Sequence, residues 1–204
     1  MLLKNITKKL LLRGILRKPI ADQAWRQKIY LENTLKGEAG AVAYDLGSGA
    51  TPQNPFLCEE YFGIDLHSGS KVIKADMSSG TLPLLDESAA VFTAYDFLEH
   101  IPRVLSKSGP IDGIRFPFVD LMSEIYRCLR PGGLFYSSTP CYPSYSAFVD
   151  PTHVNIMTEH TLINYFCGTN PQARCYGFKG GFEMKTAAWI HPHFNILLVK
   201  PHSI

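Results

Sequence analysis

Cysteine is scarce and unpaired in this chain. There are five in 204 residues, an odd number with no Cys-x-x-Cys spacing, which excludes a disulfide framework and a zinc ribbon and leaves reduced thiols as the reading. No apolar run reaches the ~18 residues of a spanning helix. Only 19% of residues are charged, and there is no low-complexity tract, no internal repeat and no basic-aromatic interleaving of the kind that binds RNA. One absence is local. Counted from Gly47, the sixth position of a Gly-x-Gly-x-x-Gly phosphate loop is Pro52, which argues against a nicotinamide dinucleotide site. What remains, at 46% hydrophobic residues, is one globular domain with a full core.

The net charge of +2 conceals an asymmetry: residues 1–28 carry +7 and residues 29–204 carry −5. Residues 1–18 interleave leucine and isoleucine with Lys4, Lys8, Lys9, Arg13, Arg17 and Lys18. That pattern suits a helix on the domain edge, a peripheral contact with an anionic membrane, or docking on a partner enzyme. Lys8, Lys9 and Arg13 interrupt any signal-peptide core, so the expected location is the cytoplasm, including the inner face of the membrane. Nucleic acid is not an expected partner, because the body of the chain is acidic. Residues 23–35 have better helical spacing and are expected to cover one end of a sheet. The expected division is a basic helical extension over 1–36 and a main domain over 37–204.

Four apolar segments in the main domain each end in an acid. The first, Ala41-Val42-Ala43-Tyr44-Asp45-Leu46-Gly47-Ser48-Gly49, runs into two glycines that permit a sharp turn and a close approach of ligand to backbone. Asp45 there repels phosphate and suits a cationic or hydroxyl-rich ligand. The second ends at Asp65 and Leu66, where a carboxylate can accept both hydroxyls of a ribose. The third ends at Asp76 and Met77, an acid for an adenine amino group and a side chain to pack on its ring. The fourth runs through Tyr95-Asp96-Phe97-Leu98-Glu99-His100. A helical segment over 118–129, a turn at Arg130-Pro131-Gly132-Gly133 and a fifth strand over 134–139 follow. Two strands joined at His191-Pro192-His193 close the chain as a hairpin.

In order and spacing these pieces resemble the class I S-adenosylmethionine-dependent methyltransferases, over roughly residues 40 to 140. The resemblance implies a Rossmann-like α/β three-layer sandwich, with a mostly parallel seven-stranded sheet and an antiparallel C-terminal hairpin. It also implies S-adenosylmethionine as cofactor, held by Asp45, Gly47, Ser48, Gly49, Asp65, Leu66, Asp76, Met77, Asp96 and Phe97. One departure is visible: Thr51 stands where a third glycine is common, and Pro52 and Pro55 follow, so the usual next helix is expected to shrink to a turn or two. Such Gly-x-x-Pro variants are similar to a branch associated with cell-surface polysaccharide synthesis.

The loop after the fifth strand, with the rest of residues 140–180, is rich in aromatics and hydroxyls and is expected to hold a small-molecule or glycan acceptor. Methylation is expected on oxygen, with a base to take the proton. Histidine is the natural base near neutral pH. His100, after the fourth strand, and His153, in the overhanging loop, are the candidates, against the plainer reading that each only fixes its loop. Asp96, Glu99 and His100 also offer metal ligands at a spacing similar to that of ubiquinone-pathway O-methyltransferases. A Glu-His pair is common in metal-free relatives, so no metal is assigned. The alternative function is a catalytically silent S-adenosylmethionine-binding subunit of a larger assembly.

Overall fold

The computed structural model describes residues 22–107 and 113–202; the expected contact through residues 1–18 lies outside them. Seven strands form one sheet: β1 (Val42–Leu46), β2 (Glu60–Asp65), β3 (Val72–Lys74), β4 (Ala89–Tyr95), β7 (Leu129–Pro140), β8 (Glu183–Ile190) and β9 (His193–Val199). Their order is β3-β2-β1-β4-β7-β9-β8. The first five run parallel, and β9 is antiparallel to both of its neighbours. This is the expected mostly parallel sheet with an antiparallel C-terminal hairpin. Strands β5 (Leu105–Lys107) and β6 (Gly113–Arg115) pair separately, in a stretch that reads from sequence only as a long, proline-rich connection.

A parallel sheet needs cover on both faces, and alternation along each strand supplies two apolar surfaces. On one face Val91, Leu134, Tyr136 and Leu197 pack with Ile29 of helix α1 (Asp22–Glu32) and with Phe56. On the other, Phe92, Phe135 and Leu198 meet helix α2 (Pro117–Cys128), which presents Phe118, Leu121, Met122 and Ile125 at helical spacing. Proline at its first position costs no hydrogen bond. Helix α1 therefore covers a face of the sheet rather than its end. It is tied there by Tyr30, whose hydroxyl lies 2.9 Å from that of Tyr95, and by Arg26, which donates to Asn195 Oδ1 and Ser138 Oγ, both at 3.2 Å.

Two further differences from expectation have simple causes. Residues 51–59 contain turns and no helix, because Pro52 and Pro55 leave too few N–H donors over so short a span. Strand β7 begins at Leu129, opposite Ala89, and regains register only where Leu134 meets Val91, so the Arg-Pro-Gly-Gly turn is an irregularity within the strand. The short helix α3 (Ser146–Val149) and helix α4 (Glu159–Phe166) complete the substrate side. The latter opens on the expected threonine: Thr158 and Thr161 form a capping box.

Candidate active site

The carboxyl ends of β1, β2, β4 and β7 lie at one edge of the sheet, and the loops leaving them carry the predicted residues. Gly47 (φ +68°) and Gly49 (φ +56°) turn the chain in the left-handed region. A Cβ on Gly47 would lie 2.3 Å from the ring of Phe97, so this glycine lets the loop after β4 close over the loop after β1. Around Gly49 no atom would meet an added Cβ within 4 Å, and the backbone there is open to a ligand. Ser48 folds back onto β2, and a Cβ on Gly63 would lie 2.0 Å from its Oγ. Gly63 is a requirement of the site that the strand pattern does not reveal.

Asp45 sits between Gly63 and Thr93 in the sheet register and is buried. Its Oδ1 accepts the Thr93 hydroxyl (2.7 Å) and its Oδ2 accepts the Gln53 N–H (2.9 Å). Burial pushes its carboxyl above the ordinary range, against the opposing pull of those two bonds. Asp45 thus anchors the helix-free segment after Gly49 to β4. Asp65 accepts the Gly49 N–H (2.9 Å) and the His67 N–H (2.8 Å) on different oxygens. Each oxygen keeps a second lone pair for a ribose hydroxyl. Leu66 beside it is exposed, an apolar platform at the tip of β2.

The third and fourth strands divide their predicted residues between core and rim. Asp76 caps a single 3₁₀ turn over Met77–Ser79, accepting the Ser78 N–H (2.9 Å) and hydroxyl (2.7 Å). Met77 is buried in the main core cluster. It supports the wall from behind. Asp96 is exposed at φ +46° and pairs with His193 Nε2, a histidine that reads from sequence as an ordinary turn residue. Phe97 stacks on Gly47 and is half-buried.

His100 and His153, 53 positions apart in sequence, are brought together: their rings stand edge to face with centroids 4.9 Å apart. Asn155 makes that approach. Its side-chain amide donates to Leu98 O (3.1 Å), its backbone N–H donates to Glu99 O (2.9 Å), and its Oδ1 accepts from Arg103 Nε (2.6 Å). His153 Nδ1 lies 3.2 Å from Ala147 O. His100 Nδ1 lies 3.0 Å from Thr152 Oγ1, and the Thr152 hydroxyl lies 2.6 Å from Asp150 Oδ1. Since the ionised Asp150 can only accept, the threonine gives its proton to Asp150 and accepts from His100 Nδ1, so in each ring Nδ1 is the engaged nitrogen and Nε2 is the one turned away from these bonds. The Thr152 hydroxyl and N–H hold Asp150 below the usual carboxylate range. Beneath the pair Glu99 is buried, with Oε2 accepting the Thr139 hydroxyl at 2.6 Å. Burial raises its carboxyl, opposed by the Thr139 bond.

Thr93, Thr139, Thr152 and Asn155 were not found from sequence. Each acts across a strand pair or between distant loops, where no local pattern marks it. A cleft of about 400 Å³ lies elsewhere, lined by Asp86, Glu87, Glu124, Arg127 and Lys200. It is beside the start of β4, far along the sheet from these loops, and its acids and bases pair with one another.

No protein-family model and no curated protein matches the chain. Solved structures do match over most of their length. An S-adenosylmethionine-dependent methyltransferase from Archaeoglobus fulgidus is 18% identical, over 86% of this chain and 91% of that one, with a TM-score of 0.53. The protein in complex with the Trm112 methyltransferase activator of Haloferax volcanii is 13% identical over 96% and 93%, with a TM-score of 0.55. The (4+2)-cyclase SpnF is 15% identical over 87% and 80%, with a TM-score of 0.56. The chain has the Rossmann-like fold of the class I S-adenosylmethionine-dependent methyltransferases.

Proposed function

We propose that the protein is an S-adenosylmethionine-dependent methyltransferase acting on an oxygen of a small-molecule or glycan acceptor. The observation that carries this reading is the open Gly47–Gly49 loop and Asp65 at the same sheet edge as two histidines whose Nδ1 atoms are engaged by Thr152 and Ala147, leaving Nε2 for the acceptor. Asp45, Ser48, Leu66, Asp76, Met77, Asp96 and Phe97 complete the cofactor cradle. Asp45 fixes the loop, Met77 backs the wall, and Asp65 accepts the ribose hydroxyls. When bound, the cofactor supplies an electrophilic sulfonium methyl carbon. His100 and His153 face the acceptor, orient its hydroxyl and take its proton, while residues 140–180 close over it and exclude water. In this reading residues 37–204 form the catalytic domain, and the basic residues of 1–18 add a contact to an anionic membrane or a protein partner. The activator bound to the Haloferax neighbour favours the protein.

Transfer of labelled methyl from S-adenosylmethionine to a panel of phenols, sugars and oligosaccharides tests the assignment. The wild type is expected to label an acceptor, and His100→Ala with His153→Ala to slow it by roughly 10²–10⁴, the range of general-base catalysis. Labelling at full rate in the double variant would reject the histidines. A second reading is a catalytically silent S-adenosylmethionine-binding subunit of a larger assembly, supported by a neighbour found in complex with an activator and by a cyclase with this fold. In that case cofactor binds and no acceptor is labelled.

A further inference from the structure

The geometry points to a divalent transition-metal site formed by Glu99, His100 and His153. One carboxylate oxygen of Glu99 and one ring nitrogen from each histidine all lie within 4.8 Å of one another. A tetrahedral ion with bonds of 2.0–2.2 Å holds its donors roughly 3.3 Å apart, so an ion would draw the donors together by at most about 1.5 Å.

Three independent features prepare these groups for an ion. Glu99 is buried with Oε2 occupied by Thr139, while its Oε1 has no hydrogen-bond partner among the described residues. A buried carboxylate oxygen without a donor is costly unless something cationic meets it. Both histidines have Nδ1 engaged, His153 with the Ala147 carbonyl and His100 with Thr152, itself tied to Asp150. That arrangement leaves Nε2 as the metal-binding atom of each ring and is the outer support that metal-ligating histidines use. Thr139 orients the third ligand in the same way. Asp96, the acid that sequence spacing would put in such a site, is paired with His193 instead.

Two imidazoles and one carboxylate select a zinc- or iron-type ion over magnesium or calcium, which prefer oxygen donors. Three protein donors leave a coordination position open. Given the methyltransferase reading, on which this consequence rests, an acceptor hydroxyl at the open position of the metal-loaded site would have its pKa lowered and lose its proton to solvent, the two imidazoles serving there as ligands and as bases only when no ion is bound.

Titration of the chelator-stripped full chain with Co²⁺, followed by its visible d–d absorption, tests the site. The wild type is expected to take up one equivalent with a saturable spectrum. Glu99→Gln and His153→Ala are each expected to abolish that spectrum. Thr152→Val, which removes the hydroxyl linking His100 to Asp150 and leaves the Thr152 carbonyl 3.3 Å from His100 Nδ1, is expected to weaken uptake roughly 10–100-fold. Asp96→Asn is expected to leave it unchanged. Binding of S-adenosylhomocysteine, measured on each sample, reports folding and the cofactor site separately. Absence of saturable uptake by a wild type that binds the nucleoside, or uptake indifferent to His153→Ala and Thr152→Val, overturns the metal site and leaves the methyltransferase reading standing. Metal uptake without nucleoside binding does the reverse.

Discussion

At the scale of single residues, Asp45 carries the most consequence. It lies where a ligand-facing acid is expected from sequence, yet both of its oxygens serve the protein, one holding β4 through Thr93 and the other holding the loop through Gln53. Burial lifts its carboxyl above the ordinary value of 3.8. A carboxyl whose folded pKa exceeds its unfolded one binds protons more readily when folded, so its contribution favours the fold below pH 3.8 and is lost as pH rises through the folded value. In Asp45→Asn the amide accepts from Gln53 and donates to Thr93, so the fold survives and that pH dependence disappears. Urea unfolding at stepped pH should show a flatter stability curve above pH 3.8 than in the wild type. An unchanged slope would place the titration elsewhere. Gly63 belongs at the same scale: Ser48 Oγ occupies the space of its missing side chain, and the pairing of Asp45 with Gly63 explains why the tightest packing lies beside the anchor.

At the scale of elements, the site is two loops joined by Asn155. Replacing it with alanine removes the shorter of two bonds to Leu98 O, which keeps the Ile101 N–H at 3.3 Å, and takes the acceptor from Arg103 Nε, at about 1–3 kcal/mol for the two hydrogen bonds together. Asn155→Ala is expected to lower stability by that amount and to slow methyl transfer, while S-adenosylhomocysteine affinity stays at the wild-type value because the cofactor loops do not depend on it. Calorimetry and the transfer assay on one preparation check the split; a parallel loss of affinity would contradict it. The strands of the seven-stranded sheet were legible in advance because each is an apolar run stopped by an acid or a turn, as at Asp65 and Asp96, whereas β5 and β6 carry no such run. The His100–His153 encounter was not, since it depends on Asn155 and Thr152 bonding to residues 52 to 57 positions away. The absent helix after Gly49 was half legible. Pro52 and Pro55 announced its shortening, while the bond from the Gln53 N–H to Asp45, which uses one of the few donors left, is a contact from outside the segment that no local pattern marks. The face covered by α1 was hidden for another reason: helical spacing marks an apolar side without saying which surface receives it.

For the whole molecule, charge and fold point in different directions. The sheet edge gathers the acids Asp45, Asp65 and Asp96, while residues 1–28 carry +7 against −5 in the remainder. Among the described residues no helix is long and apolar enough to cross a membrane. Six Lys or Arg in residues 1–18, at about 1 kcal/mol each near an anionic surface, would give peripheral attachment. Removing residues 1–18 is expected to release the protein from phosphatidylserine vesicles in a sedimentation assay without changing cofactor affinity, and equal sedimentation of the two forms would dispose of the membrane contact. The central claim is the cofactor site itself. Its most direct test is calorimetric titration of the full chain with S-adenosylmethionine, S-adenosylhomocysteine and NAD. Micromolar binding of the two sulfur nucleosides, no binding of NAD, and loss of both on Asp65→Ala is the predicted result. A chain that binds neither sulfur nucleoside, or binds them equally well without Asp65, would contradict the account.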